Sequence, residues 1–370
     1  MGVHFKLNGA EAAILDALTG DAAWQANVRA MFEAHGLPTR RDEDWKWSDV
    51  RKASRDISGH GELLLRATTR PRWARLEAEA GDHFALNPLA HAGAKRTAMF
   101  DLHTRQTLDI DFSAGKGVSF ASVLVNIKPK SNVTVVERYQ TAAQAMAMVA
   151  VEYTIGRGAE LERLILIDEN PEAIVLTTSG VTLAEGAKLH QTAFTFGGKL
   201  FRQQTNLRHG GHGAYASLNA VYLLDEGRHA DFTSTATLSE PDGRLEQSAK
   251  GAVAKGGRGV FQGKILVNRD AQKTDARMNH RGLLLAEGAE IDAKPELEIY
   301  ADDVACAHGN AIGAIDELAL FYMRQRGLPE DKARGLLIES FLAEPLEAIR
   351  HEKARNVFLD LLKKKLERMS

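Results

Sequence analysis

A short theme, a Gly-Ala turn running straight into a strand, returns along this chain at near-constant intervals: Gly158-Ala159-Glu160-Leu161, Gly186-Ala187-Lys188-Leu189, Gly213-Ala214-Tyr215 and Gly288-Ala289-Glu290-Ile291. The first two steps are 28 and 27 residues, and the third, 75, is close to three times 25. Self-similarity at roughly 20–50 residues marks a solenoid, in which each unit buries its apolar face on its neighbours. Around the theme, TLDIDF, VSFASVLVNI, NVTVVERY, AMVAVEYTI, AELERLILI, ASLNAVYLL and ELEIYADDV read as strands parted by Gly, Asn and Asp turns, from about Thr107 to Asp303. Units made of strands and turns close as coils, so the pattern predicts a mainly β protein. A β-helix is preferred to a sandwich, whose strands can also be evenly spaced, because its end coils need caps and helical segments stand on both sides of the strand zone.

Before that zone, Ile14, Leu15, Leu18, Trp24, Val28 and Phe32 recur at steps of three and four, with Gly36-Leu37-Pro38 as a stop, which predicts an amphipathic helical head. In the polar segment that follows, Trp45 and Trp47 are expected to anchor a loop or short helix on the core. After Gly313 the helical period returns: Ile315, Leu318, Phe321 and Tyr322 form one apolar face, Gly327-Leu328-Pro329 breaks it, and Ala333 to Leu342 form another. Val357, Phe358, Leu361, Leu362 and Leu366 line a last helix. The expected organisation is an N-terminal helical region at 1–106, a β-helix core at 107–313 and a C-terminal helical domain at 314–370. These tail helices either cap the rod or offer an apolar face to another chain.

Charge narrows the partners. With 47 Lys+Arg against 49 Asp+Glu, no global field favours nucleic acid, and a protein or small ion is the expected partner. No apolar run approaches the ~18 residues that span a bilayer. The start, MGVHFKLNGAEAAILDAL, lacks an export signal, and Lys6 stands where a myristoylation motif wants Ser or Thr. One cysteine in 370 residues excludes an internal disulfide framework, and a reducing cytoplasm is the expected setting.

That cysteine, Cys306, stands two residues before His308 in DDVACAHGN. On a strand, residues two apart share a face about 7 Å apart, so thiol and imidazole could approach one ion or cluster. A zinc or iron–sulfur site normally takes four ligands, so another polypeptide would have to complete it. A Cys–His nucleophile is disfavoured because that spacing is too wide for a hydrogen bond, and a buried inert Cys beside a surface His stays open. Two other signals fail. GGRGVFQGKI has Arg258 where a phosphate loop needs its first Gly and Ile265 where it needs Ser or Thr, and GHGAYA lies among strands without a βαβ unit. His209 and His212, in RHGGHGAYA, are expected to be water-exposed turn residues.

From Gly263 to Leu342 the chain resembles the SufB/SufD family of iron–sulfur cluster assembly proteins. The resemblance is carried by AQKTDA (271–276), LLL (283–285) with KPELEIYADDV (294–304), Cys306-Ala307-His308-Gly309 and FYMRQRG (321–327), and more loosely by DEDWKWSDV near the amino terminus. Gly309 after His308, with Cys306 alone, is similar to the SufD branch, whereas SufB members tend to carry Glu after the His and more cysteines. Ala307 replaces a frequent Ser, and Asn310-Ala311-Ile312 stands where Ala-Thr-Val is common.

The resemblance implies a right-handed parallel β-helix with helical ends and a non-catalytic scaffold role. It implies pairing with SufB through the β-helix edge, self-pairing when isolated being an alternative. It further implies binding of the ATPase SufC through the C-terminal helices, at Phe321, Tyr322, Arg326, Gly327 and Leu337. His308, assisted by Cys306, would hold iron or a transient iron–sulfur cluster jointly with SufB. A SufB-like primary builder and a free-standing β-helix carbohydrate enzyme are the rival readings.

Overall fold

A computed structural model describes residues 7–74 and 86–369; the signal and lipidation reading at Met1–Lys6 lies outside them. Helices α1 (Gly9–Ala17) and α2 (Ala23–His35) open the chain, then a 3₁₀ turn (Glu43–Trp45) and α3 (Val50–Ala53). The helical head expected from the sequence is built of these two helices. Asn8 caps the first through a reciprocal box with Glu11, and Gly36, at φ 66°, ends the second. Strands β1 (Leu63–Ala67) and β2 (Arg72–Ala74), helix α4 (Leu86–Gly93) and β3 (Thr97–Leu102) come next, ahead of residue 107.

The rod itself runs through β4 (Arg105–Ala114), β5 (Gly117–Ile127), β6 (Asn132–Thr141), β7 (Ala145–Ile155), β8 (Glu160–Ile167), β9 (Ile174–Leu183), β10 (Lys188–Thr195) and β11 (Leu200–His209). It continues through β12 (Tyr215–Leu224), β13 (His229–Leu238), β14 (Arg244–Val253), β15 (Arg258–Val267), β16 (Asp275–Leu284), β17 (Glu290–Ile299) and β18 (Ala305–Gly313). Even-numbered strands from β4 form one parallel sheet and odd-numbered strands from β3 a second, giving a solenoid of about eight turns. The expected mainly β solenoid is the observed fold.

Each coil contributes one strand to each sheet, and the period is visible in the turns. Gly158, Gly186 and Gly213 hold φ of 60°, 61° and 64°, each two residues before a strand of the even sheet. Lys130, Asp242 and Lys273 take the same left-handed conformation in the same column, at 59°, 57° and 60°, so the repeat persists where the glycine does not. The turns also stack: the amides of Gly158, Gly186, Gly213 and Asp242 donate to Glu185, His212, Pro241 and Gln272 of the next coil. Gly288 belongs elsewhere. It precedes β17 and stacks below Gly227 and Gly256 on the opposite edge, so the 75-residue step crosses from one edge to the other and does not measure three coils.

Three apolar layers result. Inward side chains of both sheets, such as Leu108, Val135, Val149, Ile165 and Phe201, fill the rod. The outer face of the odd sheet, Met146, Met148, Ile174 and Leu176, is covered by α1, α2 and α4. The outer face of the even sheet, Val136, Leu164, Phe194 and Val221, is covered by α6 (Glu330–Glu347) and α7 (Glu352–Met369) through Ile338, Leu342, Phe358 and Leu362. With both faces buried, a strand such as β7, AMAMVAVEYTI, is almost wholly apolar. The helices therefore flank the sheets and do not cap the ends of the rod.

The N-terminal end is instead capped by β1 and β2, short strands that pair antiparallel with β4 and β3. At the other end β17 and β18 are the outermost strands of their sheets. Trp45 behaves as expected. It is buried beneath the Arg202 guanidinium, 3.9 Å from its ring, and Glu43 beside it reaches Lys294 of β17 at 2.9 Å. Trp47 is only half-buried.

Candidate functional site

Parallel in-register pairing puts each inward residue directly over the one a coil below. Along the even sheet one such column reads Val135, Arg163, Gln191, Leu218, Gln247, Met278, His308. The neighbouring columns end in Ala276 under Cys306 and His280 under Asn310. Ala276, Met278 and His280 are sealed within the rod, whereas His308 and Asn310 are exposed, because no further coil covers them. The DDVACAHGN segment is therefore a strand from Ala305 on, and Cys306, His308 and Asn310 share its inner face at the open end. Asn310-Ala311-Ile312, where the sequence departs from the family's common Ala-Thr-Val, is part of that strand.

Cys306 is half-buried against the core, and burial pushes its thiol pKa up, opposed by the Ala276 amide. No cation is among the causes of its shift. A thiol in that setting is not an activated nucleophile, but a metal could still displace its proton. Among the described residues His308 has no hydrogen-bond or ion-pair partner, and no three His, Cys, Asp or Glu side chains converge where they could hold a metal. The donors on this face fit a soft metal in type, and they number two.

Beneath them lies a group that sequence reading missed. His280 is buried, with Phe261 stacked on it at 5.2 Å and 10° and Tyr222 near-parallel at 6.2 Å. Its Nε2 lies 2.8 Å from the Tyr222 hydroxyl and its Nδ1 2.8 Å from Asn310 Oδ1. Burial lowers its pKa, partly offset by the Asn310 bond, so the ring is neutral near pH 7. Only the even spacing Met278, His280 in the strand pattern could have marked its inward position.

The two open strands differ in chemistry. β17 carries Glu290, Asp292, Lys294, Glu296 and Glu298 on its outer face and Pro295 within it, features that discourage edge pairing. β18, ACAHGNAIG, has no charged residue over nine positions. Ile312 within it is exposed, as are Ile299 and Tyr300 at the end of β17.

Of the residues expected to meet an ATPase, Phe321 and Tyr322 lie on α5 (Glu317–Gln325), each 59% exposed, with Leu318 at 81%. Arg326 follows the helix and donates to the Tyr322 hydroxyl at 2.8 Å, and Gly327 turns the chain at φ 88°. Leu337, on α6, is half-buried against the even sheet. The apolar face read for α5 is not one surface: Ile315 and Leu320 are buried, and Leu318, Phe321 and Tyr322 face solvent.

His209 also departs from expectation. It is an inward residue of β11, 2% exposed, with Nε2 3.2 Å from the Ala214 carbonyl, and burial lowers its pKa. His212 is exposed as read, beside Asp242 at 2.8 Å. The phosphate-loop decoy is β15 itself, a strand.

Comparison with known proteins bears on this end of the rod directly. Residues 110–341, which include β18 and α5, match the family model described as SUF system FeS cluster assembly, SufBD core domain. The chain belongs to the SufBD family. It is similar to the iron–sulfur cluster assembly protein SufD of Escherichia coli K12, 34% identical over 221 residues, covering 59% of this chain and 52% of that protein. A SufBD family protein of Synechocystis is 30% identical over 201 residues, 54% of this chain and 44% of its own. The chain thus spans about half the length of these first relatives. A SufBD family protein of Mycobacterium bovis is 25% identical over 380 residues, 95% of each chain. The SufD-like Cys-x-His-Gly and the match to a SufD agree. Among the described residues no helix is long and apolar enough to cross a membrane.

Proposed function

We propose that this iron–sulfur cluster assembly protein is a SufD-type scaffold, which catalyses nothing itself and offers half of a cluster site to a second rod. The observation that carries the reading is the uncharged edge strand β18, which presents Cys306 and His308 on an inner face that no coil covers. An unpaired edge of this kind is a template for another strand. A SufB-type chain pairing there would continue the solenoid, bury the exposed Ile312 and bring the cysteine ligands this chain lacks. Iron or a nascent cluster is the cargo held between them, with His308 the main donor and Cys306 assisting.

A SufC-type ATPase would dock on α5, where Leu318, Phe321 and Tyr322 are offered to solvent. Its ATP-driven closure would move α5, which follows β18 after three residues, and so shift the two rods at their shared edge. The cytoplasm is the expected compartment. A builder of the SufB type is disfavoured because sulfur transfer calls for more cysteines than one.

The test is His308→Ala in the complex reconstituted with a SufB-type partner and ATPase. Cluster yield is expected to fall at least tenfold, and undiminished yield would overturn the assignment.

A further inference from the structure

Tyr222 is fully buried, and among the described residues its hydroxyl makes a single hydrogen bond, to His280 Nε2 at 2.8 Å. A buried hydroxyl proton left without an acceptor is costly, so Tyr222 donates and Nε2 accepts. A neutral imidazole has one N–H, which then sits on Nδ1 and donates to Asn310 Oδ1 at 2.8 Å. The orientation of the Asn310 amide follows: its oxygen is turned down into the rod and its NH₂ is free. That NH₂ has no protein partner among the described residues, and Asn310 is exposed on the same inner face as His308 and Cys306.

From this chain of three residues we infer that Asn310 is a hydrogen-bond donor to anionic sulfur held at the open end. Tyr222 and His280 act as the positioning residues that fix which way its amide points. The inference rests on the proposed cluster-holding role of this face. N–H donors aimed at thiolate or sulfide stabilise the negative charge on sulfur and raise the reduction potential of a cluster. A carboxylate at the same place would repel it. His280 packs against Phe261 and Tyr222, so the ring has little freedom to turn and exchange its two nitrogens between Tyr222 and Asn310.

The experiment has two arms. Long-range proton–nitrogen NMR of the full-length chain, with the signal assigned by comparison with His280→Gln, should place the His280 proton on Nδ1; a proton on Nε2 would overturn the inference without reference to any cluster. In the second arm the chain, joined to its cysteine-bearing partner, is loaded with iron(II) and inorganic sulfide. Asn310→Ala should retain several-fold less cluster and shift its reduction potential to a more negative value, Asn310→Asp more so, with Tyr222→Phe in between and the melting temperature of Asn310→Ala unchanged. A loss of packing alone would move retention but leave the potential where it was. Wild-type retention and potential in both Asn310 variants would overturn the donor role. His308→Ala, run alongside, separates the two ideas: if it loses the cluster while the Asn310 variants keep it, only the amide role falls. If it also keeps the cluster, the shared site falls with it.

Discussion

Arg163 and His308 stand in the same inward column of the same sheet, five coils apart, and their surroundings are opposite. Arg163 is sealed in the rod and all three of its side-chain nitrogens are bonded: two to Glu137, at 2.6 and 3.0 Å, and one to Gln191 at 2.9 Å. Tyr139 and Tyr153 donate to the same carboxylate at 2.7 and 2.5 Å. His308 has no partner within the described chain. The difference teaches where function can sit in a solenoid. A buried charge such as Arg163 persists inside the rod because each of its nitrogens is bonded; at the last coil the same position is exposed and its imidazole is free of protein partners among the described residues.

The comparison breaks first, and hardest, at Arg163. Arg163→Met leaves the Glu137 charge buried and unpaired, which should cost about 3–5 kcal/mol of stability by urea unfolding, whereas His308→Ala should change it by less than about 0.5 kcal/mol. Burial alone would raise the Glu137 pKa, but Arg163 and the two tyrosines outweigh it and hold the value low. A lowered folded-state pKa gives stability that is present above the ordinary Glu value near 4.5 and is lost as pH falls through the lowered one. Arg163→Met should remove that acid-side dependence; an unchanged profile would argue against the pair as its source.

Next in size is the exposed face of α5. Phe321→Ala with Tyr322→Ala should weaken ATPase binding by about 2 kcal/mol or more, read by calorimetry, if these aromatics act as anchors. Point substitution is the sharper test because deleting everything after Gly313 would strip α6 and α7 from Phe194, Val221 and Leu164 and unfold the even sheet. A smaller effect is expected at the edge itself. Ala307→Lys with Ala311→Lys puts onto β18 the charges that β17 already carries and should weaken partner association about tenfold, roughly 1.4 kcal/mol, with no change in melting. Equal association would place the junction elsewhere. The smallest effect is the stability of His308→Ala already given.

Much of this was readable in the residues and some was not, for physical reasons. The Gly-Ala theme revealed coils because a left-handed turn column favours glycine, yet it covered only three coils of the column since Lys130, Asp242 and Lys273 occupy the same conformation. Gly288 misled because the solenoid has two turn columns with the same local chemistry. Strand alternation located β4 to β8 and β12 well, but Tyr300 to Val304, read as strand, form the turn before β18. His209 was mistaken for a surface residue because Gly and His around it signal a turn, while its parity in β11 points it inward. Cys306 and His308 were legible as a pair. Their place at an open end was not, because it depends on which coil is last, a property of the whole rod. His280 and Tyr222 are 58 residues apart and meet only through register.

Because Cys306 is the only thiol in the chain, one measurement addresses the shared site most directly. The chain is assembled with a SufB-type chain, oxidised mildly, and the disulfide-linked peptides are identified by mass. A bond between Cys306 and a partner cysteine is expected, absent in Cys306→Ser and formed before any ATPase is added. A Cys306 that stays freely alkylated in the assembled pair would contradict it.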